Sequence, residues 1–303
     1  MKNDNTISKD DKFVIFHIEG GHGKVIMATA VIRAIKIKYP NHKLIVVSAW
    51  DAPLFYNPNV FRFYTFNNMQ YFYDDYIKDD TIILRHEVYH SQDHILQKKH
   101  LTQSWCDMFD LKSEGVMPEI ILNDREVEIA RDKIKPDGRP IMLLQTHGGS
   151  LTNQYSKKSW FRDMPIQIAQ ELVNHYSKDY RILHVKSAEQ PVLERVEPLT
   201  LPHRELYAAF YLSTKRLFID SVGQHIAAGL GLQSTVVWIG NKPEIFGYDS
   251  HINVKPNIDI IREFNKFNYL DKYDISGHIQ EFPYDTVNML DINEIVKAVD
   301  KQK

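Results

Sequence analysis

The chain has 303 residues, 43% apolar and 25% charged, with a formal net charge of -2. These are the proportions of an ordinary folded protein, and the near-neutral total excludes a wholesale electrostatic pull toward nucleic acid or an anionic bilayer. A single cysteine, Cys106, excludes an intrachain disulfide and a multi-cysteine zinc site, and no run approaches the roughly 18 apolar residues of a membrane span.

The polar segment 1–12 lacks the apolar centre of a signal peptide, so the expected location is cytoplasmic. Residues 13–18 form an apolar run around His17 and read as a buried strand. The run empties into Gly20, Gly21, His22, Gly23 and Lys24, and an apolar pattern at helical spacing fills 25–39. A strand, then glycines, then a helix lets a ligand approach bare backbone and the positive end of a helix. A second buried strand covers 43–48, a short helix or loop 52–61, and further strands 62–66 and 81–84. Residues 86–111 carry a helical pattern rich in His, Gln and Lys, in which His86, His90 and His94 are spaced to share one face. Zinc can use such ligands, but a hydrated face is the plainer reading. Cys106 beside Trp105 reads as core.

The breaker-rich stretch 123–140 predicts a short helix and then a linker, and the domain boundary is placed there. The pattern then restarts with a strand at 141–146, a turn through His147, Gly148 and Gly149, and a helix at 164–176. A strand at 180–185, a helix at 205–213 and a strand at 216–219 follow. Next come a turn at 220–223, a helix at 224–230, a strand at 235–239 and a last helix capped by Asp291. Strand and helix in alternation predict an α/β fold of two doubly wound units with mainly parallel sheets, and ligand capture in the cleft between them. The aromatic-rich stretches 60–76 and 264–284 read as lids or acceptor-facing loops.

Three places carry candidate chemistry. The first glycine turn fits neither a P-loop, which wants glycine at Ile18 and Ser/Thr at Val25, nor a dinucleotide fingerprint, whose third glycine falls on Ile26. It still gathers Glu19, His22 and Lys24 around Gly20, Gly21 and Gly23. The second is Lys157, Lys158 and Trp160, where lysines ahead of a helix suit a diphosphate and the indole suits a base or an anchoring role. The third runs from Asp220 through Ser221, Val222, Gly223 and Gln224 to His225. Here an acid ends a strand and amides open a helix, as phosphate binding requires. Asp220 as a simple N-cap is the alternative.

Together these elements resemble the GT-B glycosyltransferases of the heptosyltransferase family, glycosyltransferase family 9, which transfer heptose from ADP-heptose to lipopolysaccharide core. The resemblance rests on residues 23–34, on Lys158, Ser159 and Trp160, and on Asp220 and Ser221 with His225 to Ala228. It implies a GT-B fold with two Rossmann-like domains facing across a cleft. An acceptor-side domain would span 1–135 and a nucleotide-sugar domain 136–303, the last helix packing back on the first. It implies inverting transfer with no metal and no cofactor. By position, Lys158 would touch the donor diphosphate, Asp220 the sugar hydroxyls, and Ser221 with its neighbouring amides the phosphates; His147, Gly148, Lys157, Trp160, Gly223 and His225 complete the donor side. Its partners would be a nucleotide-sugar donor and a glycan or glycolipid acceptor, with peripheral membrane contact, and a modified DNA base as the minor alternative. Two positions depart from the family: Lys24 stands where an aspartate base is common, and Val222 replaces a glycine. Glu19 or His22 would then take the base's place, with Lys24 turned to phosphate or an anionic acceptor. A catalytically silent nucleotide-sugar binder and, less well matched by the glycine spacing, an NAD-dependent oxidoreductase stay open from sequence.

Overall fold

A computed structural model describes residues 7–66, 68–134, 137–148, 162–257 and 284–303. In chain order the first part runs β1 (Lys12–Ile18), α1 (His22–Lys38), β2 (His42–Ser48), β3 (Arg62–Thr65), α2 (Phe72–Tyr76), β4 (Ile82–Leu84), α3 (Gln92–Ile95) and α4 (Leu101–Met108). Its strands are parallel in the order β3-β2-β1-β4. β1 is buried through Phe13–Phe16 and Ile18 because it lies inside the sheet and is covered on both faces. α1 is apolar nearly all round, as expected of a helix packed on β2 and on α4 at once.

Two expectations fail here for identifiable reasons. The aromatic stretch 60–76 is no lid: it forms β3 and α2, and Phe72 and Tyr76 pack on Phe13, Ile15, Ile45 and Val47. Tyr76 also takes a 2.7 Å bond from Arg62 and one of 2.6 Å with Tyr64, so its hydroxyl is paired when buried. The segment 86–111 is not one helix. Glu87 accepts the Tyr89 N–H at 3.1 Å and His100 Nδ1 accepts the Thr102 N–H at 3.2 Å, and each of these caps starts a new turn. Gln97, at φ +53°, breaks the chain between them. His86, His90 and His94 therefore share no helical face.

The second part comprises α5 (Asp124–Ile134), β5 (Ile141–Leu144), α6 (Ile166–Tyr176), β6 (Arg181–Val185), β7 (Glu197–Leu199), α7 (His203–Leu212), β8 (Lys215–Ile219), α8 (Val222–Gly229), β9 (Thr235–Val237), α9 (Pro243–Phe246), β10 (Ile252–Val254) and α10 (Ile292–Asp300). Its parallel sheet has the order β10-β9-β8-β5-β6-β7. The core joins sheet residues such as Leu144, Leu217 and Val237 to α6 and to Ile295, Ala298 and Val299 of α10.

The chain divides into one unit of Met1–His94 with Lys99–Ile121 and another of Ile95–Lys98 with Leu122–Lys303. α5, expected to close the first domain, belongs to the second, because Glu126 holds Arg204 of α7 with two 2.7 Å bonds and Lys133 meets Glu205 at 2.6 Å.

One tie in the second unit is easily tested. Buried Gln302 accepts the Arg216 N–H at 3.0 Å and donates to Arg216 O and Thr235 Oγ1, both at 2.8 Å. Replacing it strands backbone groups of β8 away from water. Gln302→Ala should lower the unfolding free energy by about 1–3 kcal/mol, read as a lower urea midpoint with unchanged m-value.

Candidate functional site

The strand orders place two gaps. In the first sheet β2 and β3 lie on one side of β1 and β4 on the other; in the second, β6 and β7 lie on one side of β5 and β8 on the other. At each gap the order reverses, and the carboxyl ends of the two flanking strands are left open to a ligand.

In the first unit the gap is a small open hollow lined by His17, Glu19, Lys24, Arg85, His86, Glu87 and Trp105. β1 supplies His17, the turn after it Glu19, and the segment after β4 supplies Arg85 to Glu87. Gly20 turns the chain at φ +106°, where a Cβ would lie 3.0 Å from the Lys24 side chain. α1 starts at His22, earlier than the sequence pattern indicated, so Gly21 is its N-cap and Gly23 is helical.

Lys24 is spent. Its ammonium lies 2.5 and 2.6 Å from the two Glu87 oxygens, 4.6 Å over the Tyr89 ring and 5.2 Å over Trp105, and its side chain is 3% exposed. Burial of an ammonium is tolerable only with such a partner. His22 is stacked on Trp50 at 4.9 Å and 6°, and the indole donates to Gly20 O at 3.2 Å. It does not line the hollow. Glu19 does, with Oε1 3.6 Å from Arg85 and 3.7 Å from His17 Nδ1. His17 is held below the ordinary histidine pKa by burial first and by the Arg85 charge second, against the opposing pull of Glu19.

In the second unit the gap lies between the ends of β5 and β8. Gln145 joins its two sides: its Nε2 donates to Ser221 Oγ at 3.2 Å and its Oε1 accepts the Gly223 N–H at 2.9 Å. One amide at the start of α8 is therefore already occupied. Ser221 is the N-cap but makes no side-chain cap bond, and Asp220 stands before it, so the acid is not a capping residue. Asp220 is 6% exposed; Gln224 donates to Oδ1 at 2.7 Å and Asn241 donates to Oδ2. Burial pushes this carboxyl up, while the Arg162 charge and both amide donors pull it down. His225 is fixed by a 2.8 Å bond to Tyr248, whose hydroxyl burial pushes well above its usual value.

Gly148 is tight against the same corner: a Cβ there would lie 2.9 Å from Ser221 Oγ, and its N–H donates to Asp163 at 3.0 Å. Beside it, Thr146 Oγ1 bridges His147 Nδ1 at 2.8 Å and His184 Nε2 at 3.0 Å. His184 Nδ1 is buried without a partner, and burial holds the ring neutral, its pKa down to about 4. An orphaned N–H is costlier to accept than an orphaned lone pair, so the proton sits on Nε2 and donates to Thr146. The hydroxyl can then donate to His147 Nδ1, an arrangement in which His147 carries its proton on Nε2.

Thus the structure brings Glu19 and Lys24 to one hollow and His147, Gly148, Asp220, Ser221 and Gly223 to one corner, with His225 behind it. Lys157, Lys158 and Trp160 lie outside the described residues. Sequence reasoning did not single out His17, Arg85, Glu87, Gln145, Thr146, Asp163, His184 or Asn241. Most end a strand, and that position was their only signal. Cys106 is buried, its thiol pushed up to about 11. Among the described residues no cluster of three or more His, Cys, Asp or Glu could hold a metal, and no helix is long and apolar enough to cross a membrane.

No family model matches the chain, and no curated protein matches it. Solved structures do. The chain is similar to the glycosyl transferase family 9 protein from Veillonella parvula DSM 2008, at 12% identity and TM-score 0.66 over 97% of this chain and 98% of that one. It is similar to the E. coli ADP-heptose lps heptosyltransferase II, at 13% and 0.63 over 95% and 98%. It is also similar to E. coli heptosyltransferase WaaC with ADP, at 12% and 0.55 over 95% and 99%. The α/β fold with two parallel sheets is therefore the fold of these GT-B glycosyltransferases, as the sequence motifs implied.

Two measurements test these geometries. Lys24→Met should cost about 3 kcal/mol of unfolding free energy by leaving Glu87 unpaired. The double variant Lys24→Met/Glu87→Leu should recover most of it, and equal single and double values would show that the pair does not couple. The second concerns pH. His184 and His251 are both held at about 4 by burial, below the unfolded value of about 6.5. Between these values the unfolded chain binds more protons, so the stability they confer is complete above 6.5 and is lost as pH falls toward 4. Each should steepen the loss by up to about 1.4 kcal/mol per pH unit, measured by urea titrations between pH 7 and 5.

Proposed function

We propose that this protein is a glycosyltransferase that takes a nucleotide diphosphate sugar and moves the sugar to a hydroxyl acceptor, with inversion and without a metal. The observation that carries this reading is the corner between β5 and β8, where Gly148 leaves no side chain in front of Ser221 and Asp220 sits buried beside it. A diphosphate needs that close backbone approach, and a sugar needs an acceptor of hydroxyl protons that does not move. Asp220 meets the second need, with one amide donor on each oxygen and further lone pairs left.

Charge on the departing diphosphate would be met by the His147 Nε2–H and, as the resemblance implies, by Lys158. α8 offers less than its sequence promised, since Gln145 already takes the Gly223 N–H. The first unit's hollow would receive the acceptor. A glycan or glycolipid hydroxyl suits it better than a DNA base, because nothing in the chain's near-neutral charge favours a duplex. Two of the similar proteins carry heptosyltransferase in their names, and the E. coli transferase II is named for ADP-heptose and lps. An ADP-sugar and a surface glycan lead the list of substrates on that account. Work at a cytoplasmic nucleotide-sugar pool and peripheral contact with a membrane-borne acceptor belong to the same reading.

A second reading, a nucleotide-sugar binder without turnover, is favoured by one observation: the lysine at the family's aspartate position is locked to Glu87.

The two are separated by a screen of ADP-, UDP-, GDP- and CMP-sugars. One of the first three should raise the melting temperature, by about 2.7 kcal/mol of stabilisation at a hundred times its Kd, and should release nucleoside diphosphate, which a CMP-sugar cannot do. Asp220→Ala should lose at least tenfold in donor affinity while still melting cooperatively. Binding without release favours the binder, and no binding by any of the four sinks both readings.

A further inference from the structure

The hollow in the first unit holds several titratable groups, and the choice among them as proton acceptor follows from their partners. It rests on the glycosyltransferase reading and deepens it. Lys24 is excluded as a base because it is a cation paired with Glu87, and its role there is to fix that carboxylate. Glu87 is a poor base for the same reason, since the ammonium and the Tyr89 N–H both favour its anion. His22 stacks on Trp50 and does not line the hollow. Glu19 is half exposed and shared between Arg85 and His17.

We propose that His17 is the catalytic base of this protein, with Glu19 as its positioning residue. His17 lies at the carboxyl end of β1, lines the hollow, and keeps 17% of its side chain exposed. Its Nδ1 is sealed from solvent and lies 3.7 Å from Glu19 Oε1. No hydrogen bond fixes that nitrogen, but unlike the partnerless Nδ1 of His184 it faces a carboxylate, whose charge favours the proton on Nδ1 and leaves the Nε2 lone pair for the acceptor. Phe66 supports the ring, 5.1 Å away. The groups facing His17 are Glu19 and Arg85, with His86, Lys24 and Glu87 across the hollow.

The acceptor oxygen forms its bond to the anomeric carbon as its proton passes to His17 Nε2. The bond from that carbon to the phosphate oxygen breaks, and the nucleoside diphosphate leaves with the electron pair. The imidazolium, faced by Glu19, then returns its proton to water. This moves the proton-accepting group from the first turn of α1, where the family has its aspartate, to the end of the preceding strand.

The test is release of nucleoside diphosphate from ADP-glucose, UDP-glucose and GDP-mannose, with water as acceptor, across pH 5 to 9. For the wild type the rate on the best donor should rise with pH through the titration of His17 and then level. His17→Gln should lose about a hundredfold or more in kcat, with donor KM within twofold and the rising limb gone. Glu19→Gln, at an exposed position that tolerates change, should lose less and shift the limb to lower pH, because Glu19 raises the histidine's affinity for protons. The ring signals of His17 in an NMR titration should move the same way. A His17→Gln variant within threefold of wild type, or a Glu19→Gln limb that stays put or moves up, overturns the inference and leaves the transferase reading standing. A wild type that turns over none of the donors overturns the transferase reading and this inference with it.

Discussion

In a parallel sheet every strand ends on the same edge, and each connection must leave that edge toward one face or the other. While successive strands are added on one side, each crossover covers the gap it creates. When the next strand is added on the far side of the first, the connections part and the gap between those two strands has no cover. This happens at β1 and β4 and again at β5 and β8. The turn glycines, the buried acid, the ion pair and the histidine chain all lie at one of these gaps. The reversal thus fixes where a ligand can go before any side chain has been chosen.

The two gaps manage buried polarity in different ways. In the first unit full charges are used in pairs, Lys24 with Glu87 and Glu19 with Arg85. In the second, one acid is embedded among neutral donors, and the remaining groups form chains of hydrogen bonds: His184, Thr146 and His147 on one side, His225 with Tyr248 on the other. Neutral chains bury at less cost than charges, and they hold each ring in one tautomer. His251 shows the same economy deeper in the fold, where Nδ1 accepts the Ser234 N–H and Nε2 serves Gln224 O. Asp220 itself is held by two neutral amides, one on each oxygen, with the Arg162 charge acting on it from nearby.

Much of the fold was legible because buried parallel strands read as unbroken apolar runs, as at β1, β2, β5 and β8. The alternation of strand and helix gave the two α/β units. Short elements such as α2, β7 and β10 escaped, since tertiary packing rather than local pattern makes them. The stretch holding Phe72 and Tyr76 looked like a loop because its aromatic residues fit no single period, though both rings are core. At the sites, the glycines and Asp220 were legible because their chemistry is tied to a turn or a strand end. Glu87, Gln145 and His184 were not, since each acts on a partner more than 35 residues distant in sequence. Lys24 was visible but misjudged: its position suggested a phosphate ligand, and only the fold brings Glu87 to it.

That lysine sits on the first turn of α1, where the helix dipole disfavours a cation. The position is sustainable only because Glu87 cancels the charge within a bidentate pair and two aromatic rings face the ammonium. The other two charged side chains of the hollow, Glu19 and Arg85, cancel likewise. With both pairs neutral in sum, the hollow offers an approaching group hydrogen bonds rather than a net field. A phosphate or another anion gains little there from charge alone, whereas a neutral hydroxyl meets oriented hydrogen-bonding partners. An aspartate in place of Lys24 would bring a second free anion beside Glu87, and one of the two would be driven to protonate. Lys24 and Glu87 are therefore sustained by each other, and neither side chain could be changed alone without leaving a buried charge.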